Sequence, residues 1–407
     1  MSGAGTERPN VIRLLVLAHV FPRAVDDSMG AFLLHLADAL ADHAFHTDVV
    51  APHAGGLADD ETLGAARIHR FHYAPERGER LAYTGTMHEI VGRGLSGKIL
   101  FASFCLSFFF KALAVARAAR PQILHAHWWL PGGLVGACVS YLTRIPLVIT
   151  THGTDVEMLR RTRWAMPLAR FAFSRARAIT CGSTYLRDQL CALGVADAAR
   201  VSVIPMPVNP LFENQPGAAP DREPGLILSV ARLTAQKSID TLIDAFAILH
   251  GRDSSARLCI IGDGPMRAAL EEQARSLNLS SQVEFLGGLP QTELPRYYAK
   301  AAVFVLPSIR EGMGLVYAEA LLCGAPVIAA NSGGVTDIVK DGETGLCVPE
   351  RDAAALAEAI GKLLNDPALA ARLTSNGAAW VRERYTRDCV AAQFAEVYKR
   401  ILKRSNR

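Results

Sequence analysis

The sequence lacks most of the signatures that assign a chain at a glance. Its eight cysteines, Cys105, Cys138, Cys181, Cys191, Cys259, Cys323, Cys347 and Cys389, stand singly, with no C-x-x-C pair. That argues against a zinc ribbon or a disulfide framework and suits a reducing cytosol. No sign of charge dominates: 43 Lys and Arg face 39 Asp and Glu, a formal +4 that is too mild to argue for nucleic acid. The stretch Met1 to Pro9 is polar and has no apolar core, so no secretory signal is expected. The longest apolar run, Ile99 to Phe110, has twelve residues between Lys98 and Lys111, short of the roughly 20 that span a bilayer. It reads either as a buried helix or as one that also touches a membrane surface. No D-x-D triplet occurs anywhere, and the first strand-to-helix junction holds no G-x-G-x-x-G, the fingerprint a nicotinamide enzyme would carry there.

What the chain does have is length, apolar content and rhythm. At 407 residues it is too long for one hydrophobic core and suits two domains of roughly 200. Half of it is apolar and 20% charged, enough to bury two cores. Runs rich in Val, Ile and Leu alternate with amphipathic stretches. The first half offers strands near Val11–Ala18, His46–Ala51, Ile68–Tyr73, Gln122–Ala126, Leu147–Thr151, Ala178–Cys181 and Val201–Ile204. A Pro/Gly/Ala-rich segment, Gln215 to Gly225, then reads as a linker. A second set follows at Leu226–Val230, Leu258–Ile261, Val283–Leu286, Val303–Leu306, Val327–Ala330 and Gly345–Val348. Near-continuous apolar strands separated by helices imply parallel sheets covered on both faces, hence an α/β chain of two doubly wound domains with a cleft between them. In such sheets ligands lie beyond the carboxyl ends of the strands.

The residues just after each strand therefore matter most. Gly30 stands where a helix begins, a place where backbone amides approach a phosphate closely. Two junctions carry histidine, His125-Ala126-His127-Trp128-Trp129 and Thr151-His152-Gly153-Thr154-Asp155. No third ligand at helical spacing favours a metal there, and His152 reads as a neutral imidazole bonding a substrate hydroxyl or as a structural histidine. Arg232 closes one strand and Lys237 follows before a helix, two cations suited to a diphosphate. Gly262-Asp263-Gly264-Pro265 either passes close to a ligand or makes a tight turn. The densest signal is Pro307 to Leu315, with Gly312 and Gly314 freeing the backbone where a helix starts. Glu319 lies eight residues after Glu311, roughly 12 Å away if the segment is helical throughout.

Basic charge gathers in residues 93–187, where 13 Lys and Arg face only Asp155 and Glu157. This is a solvated face, or one that attracts anionic lipid or a phosphorylated acceptor.

Taken together, these motifs resemble the retaining, metal-independent glycosyltransferases of the GT-B fold, specifically glycosyltransferase family 4. The second half matches almost throughout: Ala231-Arg232-Leu233, Gln236-Lys237-Ser238, Ile261 to Pro265, Phe285 to Leu289, Glu311-x7-Glu319, Cys323 to Ile328, Asn331 to Val335 and Asp341 to Leu346. The first half matches more loosely, at Gly30, His125–Pro131, His152–Asp155 and Ile204-Pro205. The resemblance implies two Rossmann-like domains facing across a cleft: an acceptor-side domain over 1–208, a donor-binding domain over 209–387, and a terminal helix, 388–407, that crosses back to the first. It implies that Arg232 and Lys237 bind the donor diphosphate and stabilise the departing nucleotide. Glu311 would hold the sugar hydroxyls, with backbone amides from Gly312, Met313 and Gly314 and with Leu315 next in the donor-binding segment. Glu319 would take the ribose, the backbone of Gly288 and Leu289 would face the base, Gly30 would approach the diphosphate and His152 the donor sugar. One departure stands out: the family often has Glu-Lys-Gly where this chain has Gln236-Lys237-Ser238.

The implied activity is transfer of a sugar from a nucleotide-sugar donor to an acceptor hydroxyl with retention, without metal or other cofactor. The acceptor would be a glycan or a lipid-linked saccharide, the place cytoplasmic or peripheral at the inner face of a membrane, with no nucleic acid involved. The rivals are a soluble small-molecule acceptor, a sugar-nucleotide epimerase of the same architecture, a nicotinamide oxidoreductase and a non-catalytic sugar-nucleotide binder.

Overall fold

The computed structural model describes residues 11–84, 87–92, 94–213, 222–251 and 255–405. Met1 to Pro9 and most of the segment Gln215 to Gly225 lie outside the described residues. The chain forms two compact units. Unit 1 takes residues up to Cys181, Arg187–Ile204 and the end of the chain from Val390. Unit 2 takes Gly182–Leu186 and Pro205–Cys389.

Unit 1 is built on an eight-stranded sheet of β1 (Ile12–Leu17), β2 (Phe45–Pro52), β3 (Asp60–Leu63), β4 (Ala66–Phe71), β5 (Ile123–His127), β6 (Leu147–Thr151), β7 (Ala176–Cys181) and β8 (Val201–Val203). The spatial order is β3-β4-β2-β1-β5-β6-β7-β8. All pairs are parallel except β3 with β4, which is antiparallel. Asp60-Glu61-Thr62-Leu63 is polar and largely exposed, so an apolar-run criterion passes over it. The central strands are apolar end to end, as burial on both faces requires; Leu14, Leu15 and Leu17 are fully buried.

The apolar run Ile99 to Phe110 proves to be the middle of a 25-residue helix, Leu95–Ala119. Length and composition alone would let it cross a membrane. Its buried side, however, packs onto the sheet of unit 1: Phe104 and Phe108 sit 5.0 and 4.8 Å from the ring of Phe71. The last helix, Arg387–Ser405, turns Phe394 and Tyr398 towards β5, and the Tyr398 hydroxyl lies 2.7 Å from His125 Nδ1.

Unit 2 carries a six-stranded, all-parallel sheet of β9 (Leu226–Val230), β10 (Arg257–Ile261), β11 (Val283–Gly287), β12 (Val303–Leu306), β13 (Val327–Ala330) and β14 (Leu346–Val348), ordered β11-β10-β9-β12-β13-β14. Both sheets reverse their strand order once, between β1 and β5 in unit 1 and between β9 and β12 in unit 2. At such a reversal the flanking helices run to opposite faces and leave a crevice beyond the strand ends, the place where doubly wound sheets bind ligands.

Candidate functional site

In unit 2 the crevice at the reversal is lined by the loops after β9 and β12. Arg232 leaves β9 exposed to solvent and, among the described residues, pairs with no carboxylate. Behind it the turn Gly262 to Pro265 is resolved as a backbone support. A Cβ on Gly262 would come within 1.8 Å of Ala231 O, and one on Gly264 within 2.4 Å of Leu233 O. These glycines let two stretches of backbone touch and so hold the Arg232 turn.

Lys237 ends a single 3-10 turn, Ala235–Lys237, and its Nζ meets Glu311 Oε2 at 2.5 Å with both side chains mostly buried. Two further bonds join the same loops: Ile309 N donates to Gln236 O at 2.9 Å, and Gln236 Nε2 donates to Arg310 O at 3.1 Å. A glutamate at 236 has no proton to give that carbonyl, so this family departure supports the loop through its amide. Ser238 takes φ +49, the left-handed region that glycine enters without a Cβ penalty, which explains the glycine common at this position.

The loop from Pro307 to Gly314 is not helical. Arg310 has φ +51 and Gly314 φ +78, and the helix begins only at Leu315, Leu315–Leu322. The two-turn spacing expected between Glu311 and Glu319 is therefore corrected: Glu319 sits about one turn into the helix, and Glu311 lies before its start. Among the described residues the backbone N–H groups of Gly312, Met313 and Gly314 meet no acceptor. With the helix start behind them they form a positive, anion-seeking rim. The loop is held from below by the Asn331 to Val335 segment. Gly334 N donates to Glu311 O at 2.7 Å and Ser332 Oγ accepts from Arg310 N at 2.8 Å. A Cβ on Gly333 would lie 2.5 Å from Glu311 O, and one on Gly334 2.3 Å from Gly312 O. Ser183 Oγ donates to Gly312 O at 2.6 Å.

Glu319 is only 6% exposed, with its carboxylate accepting from the Tyr298 hydroxyl at 3.3 Å. Burial pushes its pKa up to about 7, and the Tyr298 bond opposes this only in part. After β11, Gly287 turns with φ +73, and a Cβ on Gly288 would meet nothing within 4 Å, so the backbone at Gly288 and Leu289 borders open space. Unit 2 thus gathers Lys237, Glu311 and the amides of Gly312 to Gly314 into one constellation. Arg232 stands on the loop ahead of Lys237, Leu315 and Glu319 follow in the helix, and Gly288 and Leu289 stand at the next strand end but one.

The crevice of unit 1 has a different chemistry. Gly30, with φ +77, caps the helix Ala31–Asp42 and packs against Val20 and Phe21. His152 Nε2 lies 3.0 Å from His127 Nδ1, and its ring is 4.3 Å from that of Trp128. Trp128 in turn meets His19 edge-on at 4.4 Å. Burial and the neighbouring imidazoles lower the pKa of His152 to about 3, and burial alone lowers His19 to about 4. These rings are neutral at physiological pH, able to exchange hydrogen bonds with a ligand without carrying charge. His125 is satisfied on both nitrogens, by Thr150 Oγ1 at 2.6 Å and by the Tyr398 hydroxyl.

Several residues with a part in this arrangement were not singled out from sequence. Asp155 is buried and accepts from His152 N, Gly153 N and Trp129 N, each at 3.0 Å, tying the loops after β5 and β6 together. An acid three residues after the histidine, in the first turn of a helix, is the available signal. Trp128 stands in the histidine junction, but its contact with His19, and separately that of Ser183 with Gly312, arise only through the fold.

Comparison with known proteins bears on the family and the fold. Residues 212–380 match the family described as Glycosyl transferases group 1, and residues 29–211 match Glycosyltransferase Family 4. A GDP-mannose-dependent alpha-(1-6)-phosphatidylinositol monomannoside mannosyltransferase of Mycolicibacterium smegmatis is 34% identical over 286 residues, covering 66% of this chain and 73% of its own length. Among solved structures, sucrose-phosphate synthase from Thermosynechococcus elongatus superposes with a TM-score of 0.76 at 24% identity, over 96% of this chain and 99% of that one. Anabaena HepE in complex with UDP and glucose gives 0.71 at 20%, over 95% and 99%. The chain belongs to the family 4 glycosyltransferases and has their GT-B fold of two Rossmann-like, parallel-sheet units.

Proposed function

We propose that this glycosyltransferase moves a hexosyl group from a nucleoside diphosphate sugar to an acceptor hydroxyl with retention and without a metal. The observation that carries the reading is the Lys237–Glu311 pair set beside the unpartnered amides of Gly312 to Gly314 at the strand reversal of unit 2. Lys237 has three N–H groups and gives one to Glu311, leaving two for phosphate oxygens. Arg232 adds a fork to the same diphosphate. Cleavage of the glycosyl–phosphate bond puts negative charge on the leaving diphosphate, and preorganised cations and amides stabilise it as a metal would elsewhere. Glu311 holds the sugar hydroxyls and keeps Lys237 in place, Glu319 receives the ribose, and the open backbone at Gly288 and Leu289 faces the base. Gly30 and His152 keep the roles the family resemblance gives them, towards the diphosphate and the donor sugar. The acceptor oxygen attacks C1 on the face the phosphate leaves; its proton passes to the departing phosphate oxygen, so a C–O bond forms as a C–O bond breaks.

The acceptor is a growing cell-surface or lipid-linked glycan, met by a cytoplasmic enzyme at the inner face of a membrane. Three neighbouring helices of unit 1 support this. Leu95–Ala119, Leu134–Thr143 and Met166–Arg175 pack side by side. They and the turn before the last leave Ile99, Phe110, Tyr141, Trp164 and Phe171 exposed, Trp164 by 74%. Arg144, Arg163 and Arg170 are exposed on the same elements. Apolar side chains amid cations are what an anionic lipid surface attracts. The mannosyltransferase named above acts on a phosphatidylinositol mannoside, whereas the name of the sucrose-phosphate synthase fits the rival soluble acceptor. The deciding experiment incubates the protein with UDP- and GDP-sugars, with and without lipid-linked or soluble acceptors, in the presence of a chelator, and reads the product anomer by NMR. Acceptor-dependent product with the donor's anomeric configuration is expected. An altered nucleotide sugar formed without any acceptor would instead establish the epimerase.

A further inference from the structure

We infer that unit 1 carries a site for a first-row divalent cation, zinc by its donor set, formed by His53, His72 and Glu79 and separate from the residues assigned to sugar transfer. His53 and His72 are the residues immediately after β2 and β4, which are paired through Pro52 and Phe71, so the two side chains leave the sheet side by side. Their ring centroids are 3.9 Å apart. Glu79 stands just after the 3-10 turn Glu76–Gly78. One ligand atom from each of the three lies within 4.8 Å of the others.

The hydrogen bonding defines what belongs between them. His53 Nδ1 faces Glu79 Oε2 at 2.7 Å, and His72 Nδ1 faces Glu79 Oε1 at 3.0 Å. The opposite nitrogens also face acceptors: His53 Nε2 lies 2.9 Å from Leu57 O, and His72 Nε2 lies 2.9 Å from Asp59 Oδ1. Four ring nitrogens thus meet four acceptors, yet a neutral imidazole has one N–H. Two neutral rings leave two of these contacts as lone pair against lone pair. One imidazolium beside one neutral ring still leaves one such contact, and two imidazolium rings would stack like charges at 3.9 Å. One divalent cation bound by both Nδ1 atoms and the Glu79 carboxylate removes the conflict, with each Nε2–H donating outwards. A backbone carbonyl and a carboxylate behind the two histidines are the partners that orient metal-bound imidazole. The Glu79 side chain is only 1% exposed and, besides the two rings, accepts among the described residues only a long bond from Tyr73 N at 3.3 Å, so its charge calls for a cation; His72 is 48% exposed, which leaves a path and a place for a water as fourth ligand. Two nitrogens and one carboxylate favour zinc over magnesium or calcium. Bound there, the ion would tie the ends of β2 and β4 to the turn that carries Glu79.

The test titrates chelator-treated full-length protein with zinc chloride by calorimetry and repeats the titration on His72→Ala and Glu79→Gln. His72 is half-exposed, so its replacement should leave the fold intact, which circular dichroism checks. Wild type should bind one zinc per chain, with a rise in melting temperature, and each variant should bind about tenfold more weakly or worse. Absence of saturable one-to-one binding, or equal affinity in wild type and the folded His72→Ala protein, would overturn the site. Cobalt(II) offers an independent readout: visible bands of tetrahedral type in wild type, lost in His72→Ala.

Discussion

The two units place their crevices at the same point of similar sheets and fill them with opposite chemistry. Unit 2 relies on charge and bare backbone: a lysine, an arginine, two glutamates and glycines that open amide groups or let strands of backbone touch. Unit 1 relies on neutral rings, with His19, His127 and His152 around Trp128 and one buried carboxylate, Asp155, bracing the loops. On the function proposed above, the difference divides labour between the two units. A leaving diphosphate has the same charge whatever sugar it carries, so its site can be built from fixed charges and backbone. A sugar or an acceptor shows hydroxyls and hydrocarbon, which neutral donors, acceptors and ring faces read.

That comparison can be broken most forcefully at Glu311. If the charged half works as described, Glu311→Ala removes both the sugar contact and the anchor of Lys237, and turnover should fall at least tenfold, about 1.4 kcal/mol of barrier. Initial rates at saturating donor measure this, and a rate near wild type would remove the assigned role.

The same contrast explains what could be read in advance. Charges and glycines at fixed spacing are visible in a linear sequence, so Arg232, Lys237, Glu311 and Gly312 to Gly314 could be named at once. The apolar strands were equally visible: β9, β12 and β13 fall on the expected residues. Three kinds of feature were not. The exposed edge strand β3 has no apolar run to mark it. The exact backbone path from Arg310 to Gly314 depends on positive φ values that only the support from Gly333 and Gly334 explains. The ring cluster of unit 1 joins residues from positions 19, 127, 128 and 152, and the cation cluster joins 53, 72 and 79. Such sets meet only because neighbouring strands end together.

A second prediction sharpens the comparison at the surface of unit 1. Sedimentation with anionic vesicles at low salt should carry the protein down, salt should release it, and Trp164→Glu should weaken binding several-fold. Failure to bind at low salt would leave the exposed apolar face without a lipid role.

The smallest effect separates His19 and His152 from Glu319 by the sign of their pH response. His19 and His152 titrate in the fold near 4 and 3, below the usual 6.5, so the unfolded chain binds protons first and their contribution is lost as pH falls below about 6.5. Glu319 behaves oppositely. Its pKa rises from 4.5 to about 7, so its contribution is present below 4.5 and is lost as pH climbs through 7. In nucleotide-free protein, Glu319→Gln should therefore raise the melting temperature by about a few degrees more at pH 8 than at pH 5. An equal shift at both pH values would contradict a buried, proton-retaining Glu319.

The most direct test of the central claim is calorimetric titration of wild type and Lys237→Ala with UDP and GDP in the presence of a chelator. Wild type should bind at least one of the two nucleotides, and Lys237→Ala should bind it about tenfold more weakly, as loss of a charge-assisted phosphate bond implies. Undiminished affinity in a folded Lys237→Ala protein would contradict the account.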